Sequence, residues 1–199
     1  AATETAQSKN RDTGRITTLN DHLSAVTSKK GADKQAAIAE LQEYLDQRLN
    51  ERLNTVADQL EVQGTDRTLV ADFRQAQVRN QGDPATLRNL YKAATEARRN
   101  PGNQTAQALR TQVGALQQNY TAQMQQILQS LHQADAAANA AGNQNLMREI
   151  HQIRGNINTN NLPFTKLRQI QPLATRLNDP TTPAADKQQI RDDLRRFSV

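Results

Sequence analysis

Side chains able to do chemistry are few in this sequence. There are three histidines (His22, His132 and His151) and no cysteine. The lack of cysteine removes thiolate catalysis, disulfides and cysteine-ligated metals. His132 and Asp135 stand three residues apart, which turns two side chains to one side of an α-helix, as metal ligands on bundle helices are turned. No Glu-x-x-His motif accompanies them, so the favoured reading is a solvated histidine, and no metal or other cofactor is expected. Asp192 and Asp193 are paired carboxylates, but neighbours on a helix point about 100° apart, so they read as surface. No Gly-rich phosphate loop, G-x-S-x-G or H-E-x-x-H occurs. These patterns point away from an enzyme.

Two basic stripes are the remaining candidates for a binding site. Arg88, Lys92 and Arg99 fall on one side of a helix, and Lys187, Arg191 and Arg195 recur every four residues on another. Such rows suit the phosphates of membrane lipid or nucleic acid. Asp192 and Asp193 dilute the second row, and no aromatic residue is interleaved for base stacking. A solvated face is the default reading of both.

The segment Ala108-Leu109-Arg110-Thr111 is similar, over four residues, to the arginine-finger segment of bacterial GTPase-activating effectors. It lacks the glycine that precedes that motif, and a match this short is what chance supplies. The resemblance implies a helical regulator of a GTPase in which one exposed arginine, Arg110, stabilises the transition state.

The elements that would position these residues are helices. Aromatic residues are 3% of the chain and tryptophan is absent, so a core must come from Leu, Ile, Val and Ala. That favours helices over strands. Asn and Gln make up about a fifth of the 199 residues and mean hydropathy is −0.83. Most helix faces are therefore solvated.

The longest pattern runs from Asn103 to Gly142. Leu109, Val113, Leu116, Tyr120, Met124, Ile127, Leu131, Ala134, Ala138 and Ala141 recur at steps of three and four. Asn103 or Thr105 can cap its start and Gly142 its end. Beyond Leu131 the seam is alanine alone, which offers little area to bury, so this end either meets another helix closely or projects into solvent, and the favoured reading is a thin helix tip. A second long pattern, about 33–63, carries Ile38, Leu41, Leu45, Leu49, Leu53, Val56 and Leu60 and is the natural partner of the first.

Shorter amphipathic stretches follow Gly14, Asp66, Asp83, Gly142, Pro163 and Pro183. One is expected to stop at Gly155, and Pro172 is expected to kink or interrupt another. Residues 1–13 lack apolar periodicity and read as a disordered tail ahead of a single helical bundle domain, 14–199. The fold class expected is all-α: an elongated multi-helix bundle with two long amphipathic helices, about 33–63 and 103–142.

Net charge is +5. By region it is −2 over 1–63 (8 basic, 10 acidic), +3 over 64–142 (8 and 5) and +4 over 143–199 (9 and 5). This permits anionic partners without requiring them. No apolar run approaches a membrane span. The small residues at the start, without methionine, fit a processed end or an excised piece. Together these features suggest a non-catalytic helical protein-interaction module, cysteine-free and coiled-coil-like, from an exported (secreted) bacterial or virion-associated protein. The expected partner is another protein, with an anionic membrane or nucleic acid as the alternative and no small-molecule substrate.

Overall fold

The computed structural model describes the backbone of 2–197 and the side chains of 13–197. It is all-α, with eight helices and no strand among the described residues. They are α1 (Ala2–Ser28), α2 (Gly31–Val62), α3 (Arg67–Arg79), α4 (Pro84–Arg99), α5 (Asn103–Ala140), α6 (Gln144–Thr159), α7 (Phe164–Asn178) and α8 (Ala184–Phe197). The two long amphipathic helices are α2 and α5. The α1 helix already begins at Ala2, ahead of Gly14. The backbone of 2–13, most of the tail expected over 1–13, thus belongs to α1, while the side chains of 1–12 lie outside the described residues.

The chain divides into two compact units, 1–52 and 53–199, where the sequence suggested one domain over 14–199. The boundary falls inside α2. In the first unit, α1 and the start of α2 form an antiparallel hairpin turned by Lys29 and Lys30. Tyr44 fixes the pairing: its hydroxyl donates to the Arg15 carbonyl (3.1 Å), and its ring lies 5.0 Å from that of His22. Among the described residues of this unit only Ala37 is buried.

The second unit is organised on α5. Its first half packs with α3 and α4, and its second half with α6 and α7, while α8 covers α7 and α6. The expectation that α2 lies along α5 is corrected. From Asn54 onward its polar contacts go to α3 and α4, through Gln77 to Asn54, Arg74 to Asp58 and Glu61, and Arg98 to Gln59. A one-sided stripe buries against whichever helices the short connections bring near, and here those are the two helices that follow it.

The alanine end of α5 is not a thin tip. Ala134 and Ala138 are buried in the core with Ile150, Ile153 and Ile157 of α6. Small side chains let α6 approach closely, so the lack of bulk selects a near neighbour rather than solvent. Gly142 (φ 68°) then ends α5 in a Schellman motif. Its N–H donates to the Asn139 carbonyl, and that of Asn143 donates to Ala138. Asn143 in turn caps α6 by accepting from the Leu146 N–H.

Two further boundaries differ from expectation. The α6 helix continues past Gly155 to Thr159, because Ile157 is fully buried and its packing outweighs the glycine cost of about 1 kcal/mol. The α7 helix runs through Pro172, with Leu167 and Ile170 buried before it and Ala174 and Leu177 after it. The α5 start is also uncapped by Asn103. Gly102 takes the cap position, and Thr105 donates its hydroxyl to the Asn100 and Gly102 carbonyls.

Candidate functional site

The two basic stripes meet different fates. On α4, burial of Leu87, Leu90, Ala94 and Ala97 turns the opposite side outward. Arg88, Lys92 and Arg99 are all exposed there, and none forms an ion pair among the described residues. Asp83 caps this helix and accepts from the Thr86 N–H (3.1 Å) and hydroxyl (3.0 Å). The Thr86 N–H holds its carboxyl below the ordinary range, with the Thr86 hydroxyl and the charge of Arg168 adding to it.

On α8 the row is drawn inward instead. Glu149 of α6 accepts from Arg191 and Arg195, each at 2.9 Å, and Arg195 also pairs with Asp192. Arg191 and Glu149 are only 13% and 19% exposed. Lys187 lies in the field of Asp179. The α8 row therefore clamps α8 to α6, and the structure does not bring the two stripes' six residues together as one free surface. The partner of Arg191 is 42 residues away in the sequence, which no local pattern reveals.

The His132–Asp135 pair gains a third member from α6. Arg154 directs Nη1 to His132 Nδ1 (2.8 Å) and Nη2 to His151 Nδ1 (3.2 Å), which requires both imidazoles to be protonated on Nε2. Asp135 Oδ2 lies 3.4 Å from Arg154 and 3.7 Å from His151, while its buried Oδ1 has no hydrogen-bond partner among the described residues. The guanidinium holds both imidazole nitrogens that face it. Among the described residues no group of three ligand side chains is arranged to hold a metal. The cluster is a polar latch between α5 and α6.

Arg110 is half exposed and paired with Asp66 (3.1 Å), the residue that caps α3. An open groove of about 470 Å³ lies between the end of α2 (Asp58, Gln59, Val62, Gln63) and the end of α4 (Arg98, Arg99). Arg98 donates to Gln59 there, and Gln63 donates to the Arg98 carbonyl.

Nothing matches. No family model, curated protein or solved structure matches the chain, so a functional reading rests on its surfaces.

The least satisfied of these surfaces is in the first unit. Ile16 and Leu23 of α1 are 62% and 45% exposed, and Leu45 of α2 is 47% exposed. Taking Arg15 and His22 as the side of α1 that meets α2, Ile16 and Leu23 sit roughly 100° round from it. Taking Ala37 and Tyr44 as the facing side of α2, Ile38, Leu45 and Leu49 sit roughly 100° round in the same sense. In an antiparallel pair equal rotations lead to the same flank. The hairpin thus carries one apolar flank built from both helices. The α2 stripe is buried at Leu53, Val56 and Leu60, and before them half-buried at Ile38, Leu41 and Leu49 and exposed at Leu45.

Proposed function

We propose that the chain is a non-catalytic helical protein-interaction module whose binding face is the open flank of the α1–α2 hairpin: Ile16, Leu23, Ile38, Leu45 and Leu49. The observation that carries this reading is the contrast within α2. One continuous stripe is buried at Leu53, Val56 and Leu60 but only half-buried at Ile38, Leu41 and Leu49 and exposed at Leu45. A helical pair draws its stability from packing an amphipathic face, and this pair buries almost none of its own. Apolar anchors at helical spacing are the means by which such faces engage a partner's helix or groove.

The test is affinity capture on the intact protein beside its Ile16→Glu/Leu23→Glu/Leu45→Glu variant. The expected result is a bound protein retained by the wild type and absent from the variant. Identical captures on both would remove the reading.

A second reading, binding of anionic surfaces, is favoured by one observation: Arg88, Lys92 and Arg99 stay exposed on α4 and form no ion pair among the described residues, while the α8 row is engaged. Vesicles rich in anionic lipid, and duplex DNA, would bind at low salt and release as salt rises. Arg88→Glu/Lys92→Glu/Arg99→Glu would abolish the binding. Absence of binding at low salt would end this reading.

A further inference from the structure

We infer that the cluster of His132, Asp135, His151 and Arg154 is an acid-sensitive latch: it ties α5 to α6 while its imidazoles are neutral and lets Arg154 go when they take protons. The inference stands on the second unit alone and is independent of the hairpin's flank.

The sequence gathers its means at this one place. Between Arg110 and Arg148 the chain holds one charged residue, Asp135, and one histidine, His132. Both are engaged by Arg154 of α6, and His151 stands one turn before that arginine on the same helix. Side-chain exposure is 25% for Arg154 and 13% for Asp135, so the charges at the centre are largely withdrawn from water. The two rings at the rim are exposed and reach protons directly from solvent.

Each ring meets Arg154 through Nδ1, at 2.8 Å for His132 and 3.2 Å for His151. A guanidinium has donors only and keeps its charge, so each contact exists only while Nδ1 offers a lone pair. A proton there takes the lone pair and sets a second cation against the first. Imidazoles change charge between about pH 5 and 8, so proton and arginine compete for one atom within that span. The latched state holds no proton on either Nδ1 and the released state can hold two, so acid favours release. The charge of the cluster then goes from zero, Arg154 against Asp135, to +2 with both rings protonated.

Asp135 opposes this, but on one side only. Its Oδ2 is 3.7 Å from His151 Nδ1, so a charged His151 exchanges the guanidinium for a carboxylate. His132 forms no ion pair with it among the described residues, and its hydrogen bond is to Arg154 alone. His132 is therefore the main sensor. Arg148, one turn before His151, is a further cation and adds to the repulsion. The other carboxylates of α6 and α8 are engaged elsewhere: Glu149 with Arg191 and Arg195, Asp186 with Arg176, Asp192 with Arg195, and Asp193 with Arg196. Lys187 lies in the field of Asp179. Lys166 and Arg168 stand at the start of α7, whereas Gln133, beside His132, meets Asn178 at its end. The α3 and α4 helices pack on the other half of α5.

The experiment is thermal unfolding of the full chain at about pH 7.5 and about pH 5, beside His132→Asn and His151→Asn. The amide oxygen of asparagine stands where Nδ1 stands, accepts from Arg154 and takes no proton in this range. On acidification the wild type should lose about 3 °C or more in Tm beyond the loss of His132→Asn, the size of a hydrogen bond to a charged group. His151→Asn should keep most of the wild-type loss. A second measurement needs no variant: nitrogen–proton correlation NMR above the imidazole range should find both rings protonated on Nε2. Equal losses for the wild type and His132→Asn, or a His132 ring carrying its proton on Nδ1, would overturn the inference.

Discussion

Replacing Glu149 with glutamine should destabilise the second unit and, at the same time, release a basic surface. Breaking a buried ion pair by removing one partner costs about 3–5 kcal/mol, and breaking an exposed one about 0–1. Arg191 and Glu149 are 13% and 19% exposed, nearer the buried limit, while Arg195 is half exposed and adds little. Glutamine keeps one acceptor for Arg191, so the expected loss is about 2 kcal/mol, or about 4–8 °C in Tm for a unit of this size. Thermal unfolding followed by circular dichroism at pH 7 would measure it. Arg195→Ala should cost less than about 1 kcal/mol. The Glu149→Gln/Arg191→Met double variant should recover most of the loss, because no charge is then left unpaired. The released arginines should also raise affinity for anionic vesicles. A Tm drop for Glu149→Gln below about 1 °C would refute the clamp.

Three other outcomes follow from the second unit. The Tyr120 hydroxyl donates to the Leu162 carbonyl in the core (3.1 Å), and Arg79 stacks on its ring at 4.1 Å, so Tyr120→Phe should cost about 1–2 kcal/mol in a denaturant titration. Burial raises the phenol above 10, with Arg79 opposing. The folded state therefore holds the proton more tightly, and this group's contribution is intact below pH 10 and lost as pH rises through the folded value. Ultraviolet titration of the phenol checks the direction. Asp83→Ala should cost about 1 kcal/mol as a lost helix cap. Since the Asp83 carboxyl is held below 3.8, its contribution is present above that pH and fades as pH falls through the depressed value. Ala138→Leu should overpack the α5–α6 contact by about 1–3 kcal/mol, while Ala137→Leu, on the exposed side, should be close to neutral; chemical denaturation separates the two.

Helix identity was legible because Leu, Ile and Val at steps of three and four mark one face and Asp66, Asp83 and Asn143 mark starts. Helix partners were not. Nothing local distinguishes a stripe that packs on α5 from one that packs on α3 and α4, so the pairing expected for α2 was misplaced. The alanine run was misread for a related reason. Small residues look like missing core in a sequence, yet Ala134 and Ala138 let Ile150 and Ile153 come near. Gly155 and Pro172 carry strong local stop signals, and tertiary burial of Ile157 and Ala174 overrode both. Of the basic residues, those on α4 kept the exposure that their spacing suggested. Arg191 and Arg195 did not, because Glu149 reaches them from a distant segment.

The α3–α4 turn is joined to the start of α7 by side chains from four segments. Arg79 donates to Asn161 (3.2 Å) as well as stacking on Tyr120, and Thr165 donates to the Gln81 carbonyl (3.3 Å), beside Gly82 (φ 80°). The second unit has a helical trio at each half of α5, and this small knot ties the trios together, touching the shared helix only through Tyr120. If it holds, amide exchange across the unit should report one shared opening event. If it is cut, for instance by Arg79→Ala with Thr165→Val, the halves should begin to open on separate clocks, with the middle of α5 the last stretch to let go.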